Sequence, residues 1–210
     1  MLKIHHLVLS RSDRIVWLAE ELGLKYELVR HVRNAETFRS PDSLWQVAPM
    51  GKAPAIQDGD ITLGESGAII EYILDTYGEG RLRPAKGTSQ YRAYQHWMHA
   101  AESTVMVPVL LEALCTLTQT DSPALKGFSE GEYQTVFGYL NQALEKSPYV
   151  AGQDFTAADI MVAYSLLLAN GTAIPTMKGT PPLDKCPAIV AYLARIEARP
   201  AYRRAVELCK

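Results

Sequence analysis

The stretch MLKIHHLVLSRSDRIVWLAEELGLKYELVRHV, residues 1–32, changes its hydrophobic period twice. Ile4 to Leu9 is a short apolar run of strand character. From Asp13 to Leu22 the apolar positions Ile15, Leu18 and Leu22 fall on one helical face, and Tyr26 to Val32 returns to strand. Strand, helix and strand in so short a span make a βαβ unit. Working outward, Ala53 to Gln57 and Ile61 to Leu63 are short apolar runs joined by Asp58-Gly59-Asp60, and Asp-Gly is a strong hairpin signal. Ile69, Ile70, Ile73, Leu74 and Tyr77 then share one helical face. The order βαβ, ββα predicts a small α/β layer with a mixed four-stranded sheet over residues 1–80.

After Tyr77 the texture changes. Residues 78–87 hold three glycines and a proline, which predicts a linker. Beyond it no strand signal remains, and residues 88–210 read as an all-α helical bundle. Tyr91 to Thr118 lacks glycine and carries one proline, Pro108, so it predicts a long helix interrupted near that residue. Glu130 to Lys146, Thr156 to Asn170 and Ala188 to Arg199 continue helically. In Phe155-Thr156-Ala157-Ala158-Asp159-Ile160, Thr156 and Asp159 hold the N-cap and N3 places of a capping box, and Phe155 and Ile160 the flanking apolar staple. The helix they start is apolar on nearly every side, hence central and buried.

Composition narrows the function. The chain has 210 residues, 48% of them apolar and 21% charged, which is ordinary for a folded chain of one or two domains. With 21 Lys and Arg against 23 Asp and Glu there is no basic excess, and no basic run, to pair with a phosphate backbone. Nucleic acid is excluded as the expected ligand. The longest apolar stretch, Ile160 to Ala169, is about half of the roughly 20 residues that cross a bilayer, so no membrane partner is expected. Cys115, Cys186 and Cys209 are odd in number and lack metal-ligand spacing, which points to a reducing cytoplasm and to no bound metal.

Three segments converge in a layer of this order: Ser10 to Arg14 between the first strand and helix, Lys52-Ala53-Pro54 entering the third strand, and Glu65-Ser66 opening the third helix. Pro54 cannot donate to a ladder, which leaves the main chain of Ala53 for a ligand. Glu65-Ser66 joins a carboxylate, a hydroxyl and the unpaired N–H groups of a helix N-terminus, a set that suits the ammonium and carboxylate of an amino-acid head. An ordinary helix cap would read the same way.

In this order and at these intervals the segments resemble the glutathione transferase family, over nearly the whole chain. The matching pieces are Ser10-Arg11-Ser12-Asp13-Arg14-Ile15-Val16-Trp17-Leu18, residues 48–56, Glu65-Ser66-Gly67-Ala68-Ile69 and the Phe155 to Asp159 box. The resemblance implies a thioredoxin-like N-terminal domain that binds glutathione, an all-helical C-terminal domain facing a small hydrophobic electrophile, and a homodimer. It implies that Pro54 is cis, that Ala53 pairs with the cysteinyl part of glutathione, that Glu65 and Ser66 hold its γ-glutamyl end, and that Lys52 and Arg39 lie near its glycyl carboxylate. Many members have Asn-Pro where this chain has Ala48-Pro49, a departure that bears on one supporting side-chain bond but not on the loop.

A thiol of reference pKa about 8.5 is only a few per cent thiolate at neutral pH, and lowering it by two units takes about 2.7 kcal/mol of preferential interaction. Ser10 resembles the serine of the family's serine-type members. Ser12, two residues on, and Arg11 are the alternatives, while Arg14 reads as structural and His5 and His6 as strand residues. His99, Ser103 and Met106 share a face by helical spacing, with Glu102 at its border, and form the expected electrophile pocket. Glutathione-dependent peroxide reduction and plain ligand binding are alternatives on the same site. A thiol-disulfide oxidoreductase needs a thiolate at the first helix's N-terminus, and all three cysteines lie in the second half.

Overall fold

Strand β1 (Lys3–Leu7), helix α1 (Asp13–Leu22) and strand β2 (Glu27–His31) form the βαβ unit of the computed structural model, which describes residues 1–171 and 183–210. Helix α1 buries Ile15, Val16, Leu18 and Ala19 completely and stops at Gly23, whose left-handed φ of 63° lets its N–H reach the carbonyls of Ala19 and Glu20. Strand β1 ends two residues before the sequence reading placed its end, because Leu9 takes a φ of 57°, which no strand accommodates. A short helix α2 (Asp42–Trp45) lies in the polar stretch before strands β3 (Ala55–Asp58) and β4 (Ile61–Gly64), which the Asp58-Gly59 turn joins, and helix α3 (Ser66–Tyr77) follows. Asp58 accepts from Tyr72 Oη at 3.0 Å and also from Tyr77 Oη, fastening the hairpin to α3.

The sheet order is β2-β1-β3-β4. Strands β1 and β2 are parallel, whereas β3 is antiparallel to both of its neighbours, so the sheet is mixed as expected. Its register aligns His5 with Ala55 and Ala55 with Gly64. The C-terminal ends of β1, β2 and β4 and the N-terminal start of β3 therefore share one edge of the layer.

The second unit is helical. Helix α4 (Ser89–Ala100) passes through a π-helical turn, Ala101–Val105, into helix α5 (Met106–Leu117). The interruption expected near Pro108 lies just upstream of it, in that turn, and Pro108, which has no N–H to give to the helical ladder, stands in the first turn of α5 after it. Helix α6 (Pro123–Glu132), a second π-helical turn, Tyr133–Phe137, and helix α7 (Gly138–Lys146) replace the single helix expected there. Helix α8 (Ala157–Ala169) is buried along its whole length and opens on the expected capping box, and helix α9 (Pro187–Glu197) packs against it. Taken as one helix, Ser89–Leu117 is long and apolar enough to cross a membrane, a length that the count of uninterrupted apolar residues misses. Core helices pass the same test, and this one packs on α8.

A last helix, α10 (Pro200–Leu208), was not anticipated. Residues 198–210 belong with residues 1–82 in the first compact unit, and the second comprises residues 83–197, whereas the sequence reading gave everything from residue 88 onward to the bundle. The reason is a charged and aromatic seam. Arg199 meets Glu21 through two bonds of 2.7 and 2.8 Å, Arg204 meets Glu20 at 2.9 Å, and Tyr202 sits edge-on to Trp17.

Candidate active site

The shared edge gathers the loop from β1 to α1, the loop after β2, the Ala53-Pro54 approach to β3 and the N-terminus of α3. Arg33 ties two of these together. Its guanidinium donates to the carbonyls of Val8 at 3.1 Å, Leu9 at 3.0 Å and Phe38 at 3.1 Å, while lying over the Phe38 ring. The loop carrying Arg39 is thus stapled to the residues just before Ser10. Nothing in the local pattern of residues 30–40 marked Arg33, because its partners are main-chain atoms remote in sequence.

Ser10 is half-buried and Ser12 has no exposed surface. Their Oγ atoms lie 2.7 Å apart, and the Ser12 N–H donates to Ser10 Oγ at 3.2 Å. Ser12 Oγ also accepts from the Leu7 N–H at 3.2 Å and lies 2.9 Å from His6 Nδ1. The other ring nitrogen, Nε2, is 3.1 Å from the carbonyl of Cys209. His6 is a residue of strand β1, as the sequence reads, and its ring also anchors the serine loop. Burial, first among its surroundings, pushes its pKa down, so the imidazole is neutral at physiological pH. His5 joins a separate set of hydrogen bonds, with His31 Nε2 at 3.0 Å and Gln57 Oε1 at 3.1 Å. Arg11 is half-buried in the turn, and Arg14 is fully buried.

At the opposite side of the edge, the peptide bond between Ala53 and Pro54 is cis. The β1–β3 ladder stops at His5 and Ala55, so the main chain of Ala53 lies beyond the paired residues. Lys52 and Arg39 are exposed. Glu65, also exposed, caps α3 with φ 68° and ψ 122°, a conformation that carries a steric cost for any residue with a Cβ. Ser66 is buried as the first residue of α3, and the Glu65 carbonyl takes the Ile69 N–H at 2.9 Å.

Gly51 sets the turn leading to Lys52. It has φ 57°, donates to the Ala48 carbonyl at 2.7 Å, and a Cβ there would run into the Trp45 indole. Gly51→Ala should cost about 1–2 kcal/mol from its backbone alone, with the indole displaced in addition. Urea unfolding and tryptophan emission test this, and a variant with unchanged midpoint and spectrum would show that the turn tolerates a side chain.

The expected electrophile-pocket residues do not form one face. His99 and Ser103 are exposed and Glu102 is half-buried, but Met106 is 1% exposed, in the core of the helical unit. The π-helical turn between them adds a residue to the winding and breaks the spacing on which the shared face rested. The Ser103 hydroxyl is also committed, donating to the His99 carbonyl at 2.9 Å.

The expectation that no cysteine approaches the first helix also needs correction. Helix α10 returns Cys209 to the start of α1, beside Asp13 and His6. Burial, and then the Asp13 carboxylate, push the Cys209 thiol far above its usual range, so it is a poor thiolate. Burial likewise raises Asp13 to about 7. The ligand atoms of His6, Asp13 and Cys209 lie within 4.8 Å of one another, yet hydrogen bonds engage both ring nitrogens of His6.

Comparison with known proteins bears on the whole arrangement. Residues 4–81 match the family described as glutathione S-transferase, N-terminal domain, and residues 112–203 match glutathione S-transferase, C-terminal domain. The chain is 30% identical to glutathione S-transferase 3 of Schizosaccharomyces pombe over 81% of its own length and 75% of that protein's. A solved glutathione S-transferase from Actinobacillus pleuropneumoniae superposes with a TM-score of 0.86 at 33% identity, covering 100% of this chain and 93% of the other. The theta class glutathione S-transferase of Xanthomonas axonopodis pv. citri, solved with glutathione bound, gives 0.77 at 25% identity, covering 98% and 96%. With both domains matched and the serine loop, the cis proline and the α3 N-terminus on one edge of a mixed sheet, this chain belongs to the glutathione S-transferase family of enzymes.

Proposed function

We propose that this enzyme conjugates the thiolate of glutathione to small hydrophobic electrophiles, as a cytoplasmic homodimer. The observation that carries the reading is the α3 N-terminus. Glu65 is held there at a left-handed φ beside buried Ser66, and an exposed carboxylate kept in a costly backbone conformation at a helix start is what an amino-acid head with both charges requires. Glu65 meets the γ-glutamyl ammonium in this reading, Ser66 its carboxylate, the Ala53 main chain the cysteinyl unit, and Lys52 and Arg39 the glycyl carboxylate. The Xanthomonas relative, solved with glutathione bound, supports glutathione as the co-substrate. The same thiolate would reduce hydroperoxides if one reached it.

Ser10 is the hydroxyl that meets the sulfur, with Arg11 adding positive field. The geometry favours it over Ser12, which is fully buried and engaged by His6 and the Leu7 main chain. A hydrogen bond to a charged group contributes about 1.5–3 kcal/mol, so Ser10→Ala should raise the pKa of the bound thiol by about one to two units while glutathione affinity changes little. The thiolate's ultraviolet absorbance against pH, with glutathione consumption on an aryl halide, checks this. A shift in Ser12→Ala but not in Ser10→Ala would move the role to Ser12, and a shift in neither would remove it from both.

A further inference from the structure

We propose that His6 is a positioning residue for the thiolate: through Ser12 it takes up the proton that the glutathione thiol gives up, and in doing so turns the Ser10 hydroxyl toward the sulfur. The inference rests on the reading of Ser10 as the group that meets the thiol.

Hydrogen-bond directions carry it. A carbonyl only accepts, so the contact of His6 Nε2 with the Cys209 oxygen at 3.1 Å places a proton on Nε2. The neutral ring then has a bare Nδ1, and the contact at 2.9 Å makes Ser12 the donor there, in preference to the Leu7 carbonyl, which the same hydroxyl faces at a longer 3.3 Å. Ser12 has one proton, so toward Ser10, 2.7 Å away, it can only accept. The Ser10 proton is thereby directed inward, away from any thiolate. In its resting state the best-placed hydroxyl presents lone pairs to the sulfur, the wrong polarity for stabilising an anion.

Moving each proton one place along the chain reverses the polarity. The thiol S–H bond breaks and its proton goes to Ser10 Oγ, Ser10 passes its own to Ser12 Oγ, and Ser12 passes its own to His6 Nδ1. One S–H bond is lost and one N–H bond is gained, and each serine still carries one proton. Thiol and imidazole become thiolate and imidazolium. Every bond now runs outward, from His6 to Ser12, from Ser12 to Ser10 and from Ser10 to the thiolate.

The surroundings suit a transient imidazolium. Asp13 Oδ1, from the first turn of α1, is 3.6 Å from His6 Nδ1 and is buried with no hydrogen-bond partner of its own. The Cys209 carbonyl stays on Nε2, and the neutral Cys209 thiol stands beside Asp13. Arg30 and His31 of β2 oppose the charge, which together with burial keeps the ring neutral until a proton arrives through Ser12.

The test counts protons. Calorimetric titrations of the whole enzyme with glutathione, in two buffers of different ionisation heat, give the protons released on binding, and the same titrations with S-methylglutathione subtract those unrelated to the thiol. Thiolate absorbance gives the thiolates formed. Wild type should release well under half a proton per thiolate formed. In His6→Asn, whose amide oxygen still accepts from Ser12 but takes up no proton, release should rise to one per thiolate, and the bound thiol should titrate about one unit higher with affinity within about twofold of wild type. One proton released per thiolate in wild type overturns the proposal whether or not the variant folds. If Ser10→Ala fails to move the thiol pKa, the reading of Ser10 falls and this inference with it; if Ser10→Ala moves it while wild type releases a full proton, only the part of His6 falls.

Discussion

Asp159→Ala should destabilise the helical unit by about 3–5 kcal/mol, the loss typical of removing one partner from a buried charged network. Asp159 is 0% exposed, and its carboxylate accepts from the Val150 N–H at 2.9 Å, the Thr156 N–H at 2.8 Å, the Thr156 hydroxyl at 3.1 Å and the Tyr192 hydroxyl at 3.2 Å. Alanine leaves three donors facing an apolar space, since the Tyr192 hydroxyl keeps the main-chain carbonyl of residue 159 at 3.2 Å, in the segment that starts the buried helix α8. Asp159→Asn keeps one oxygen but turns an NH2 group toward donors, so its loss should be smaller yet still above about 1 kcal/mol. The pH dependence has a definite sign. Burial raises Asp159 to about 6, above the value of an unfolded aspartate, so between about pH 4 and 6 the folded chain holds a proton that the unfolded chain has lost. The contribution of Asp159 to stability therefore falls as pH rises through that window, and the gap between wild type and Asp159→Ala should be wider at pH 4 than at pH 7.5. Urea unfolding followed by far-ultraviolet circular dichroism at both values decides it, and a gap below about 1 kcal/mol at both would mean that the box is dispensable.

Where local signals act alone, the sequence was legible. Helix α1 runs from Asp13 to Leu22 as its periodicity indicates, because Gly23 supplies the left-handed stop, and Thr156 and Asp159 form their capping box because both partners sit within four residues. The Asp58-Gly59 hairpin is of the same kind. Failures begin where the deciding partner is remote. The end of β1 depends on Leu9, whose carbonyl is held by Arg33 from beyond β2. The return of α10 depends on Arg199 and Glu21, which no local window brings together. His6 is the strand residue that it reads as, but its further contacts, with Ser12 on one side and the Cys209 main chain on the other, carry no local signal. The face assigned to His99, Ser103 and Met106 failed for another reason: helical spacing holds only while the winding is regular, and a π-helical turn separates them.

The α3 N-terminus offers the sharpest test of the binding site, because charge and backbone conformation can be separated there. Glu65→Gln preserves the Cβ, and therefore the cost of holding φ at 68°, while removing the charge. If the carboxylate holds the γ-glutamyl ammonium, the substitution should weaken glutathione binding by about 1.5–3 kcal/mol, or about 10- to 150-fold, with little change in stability. Glu65→Gly should do the reverse to the fold, since glycine takes a positive φ at no steric cost, so that variant should be no less stable than wild type while losing at least as much affinity. Calorimetric affinity for glutathione, set beside unfolding midpoints, separates the two contributions. The pair of variants also discriminates between a ligand and an ordinary cap. Glu65 places no side-chain bond on its own helix, so as a mere cap it should lose little to either change. Undiminished affinity in Glu65→Gln would detach the amino-acid head from α3 and leave the costly backbone at Glu65 without a chemical reason; a large loss in Gln with none of it recovered by raising the ionic strength would place the missing charge in direct contact with the ligand, because a screened, distant attraction would already be weak in wild type at high salt.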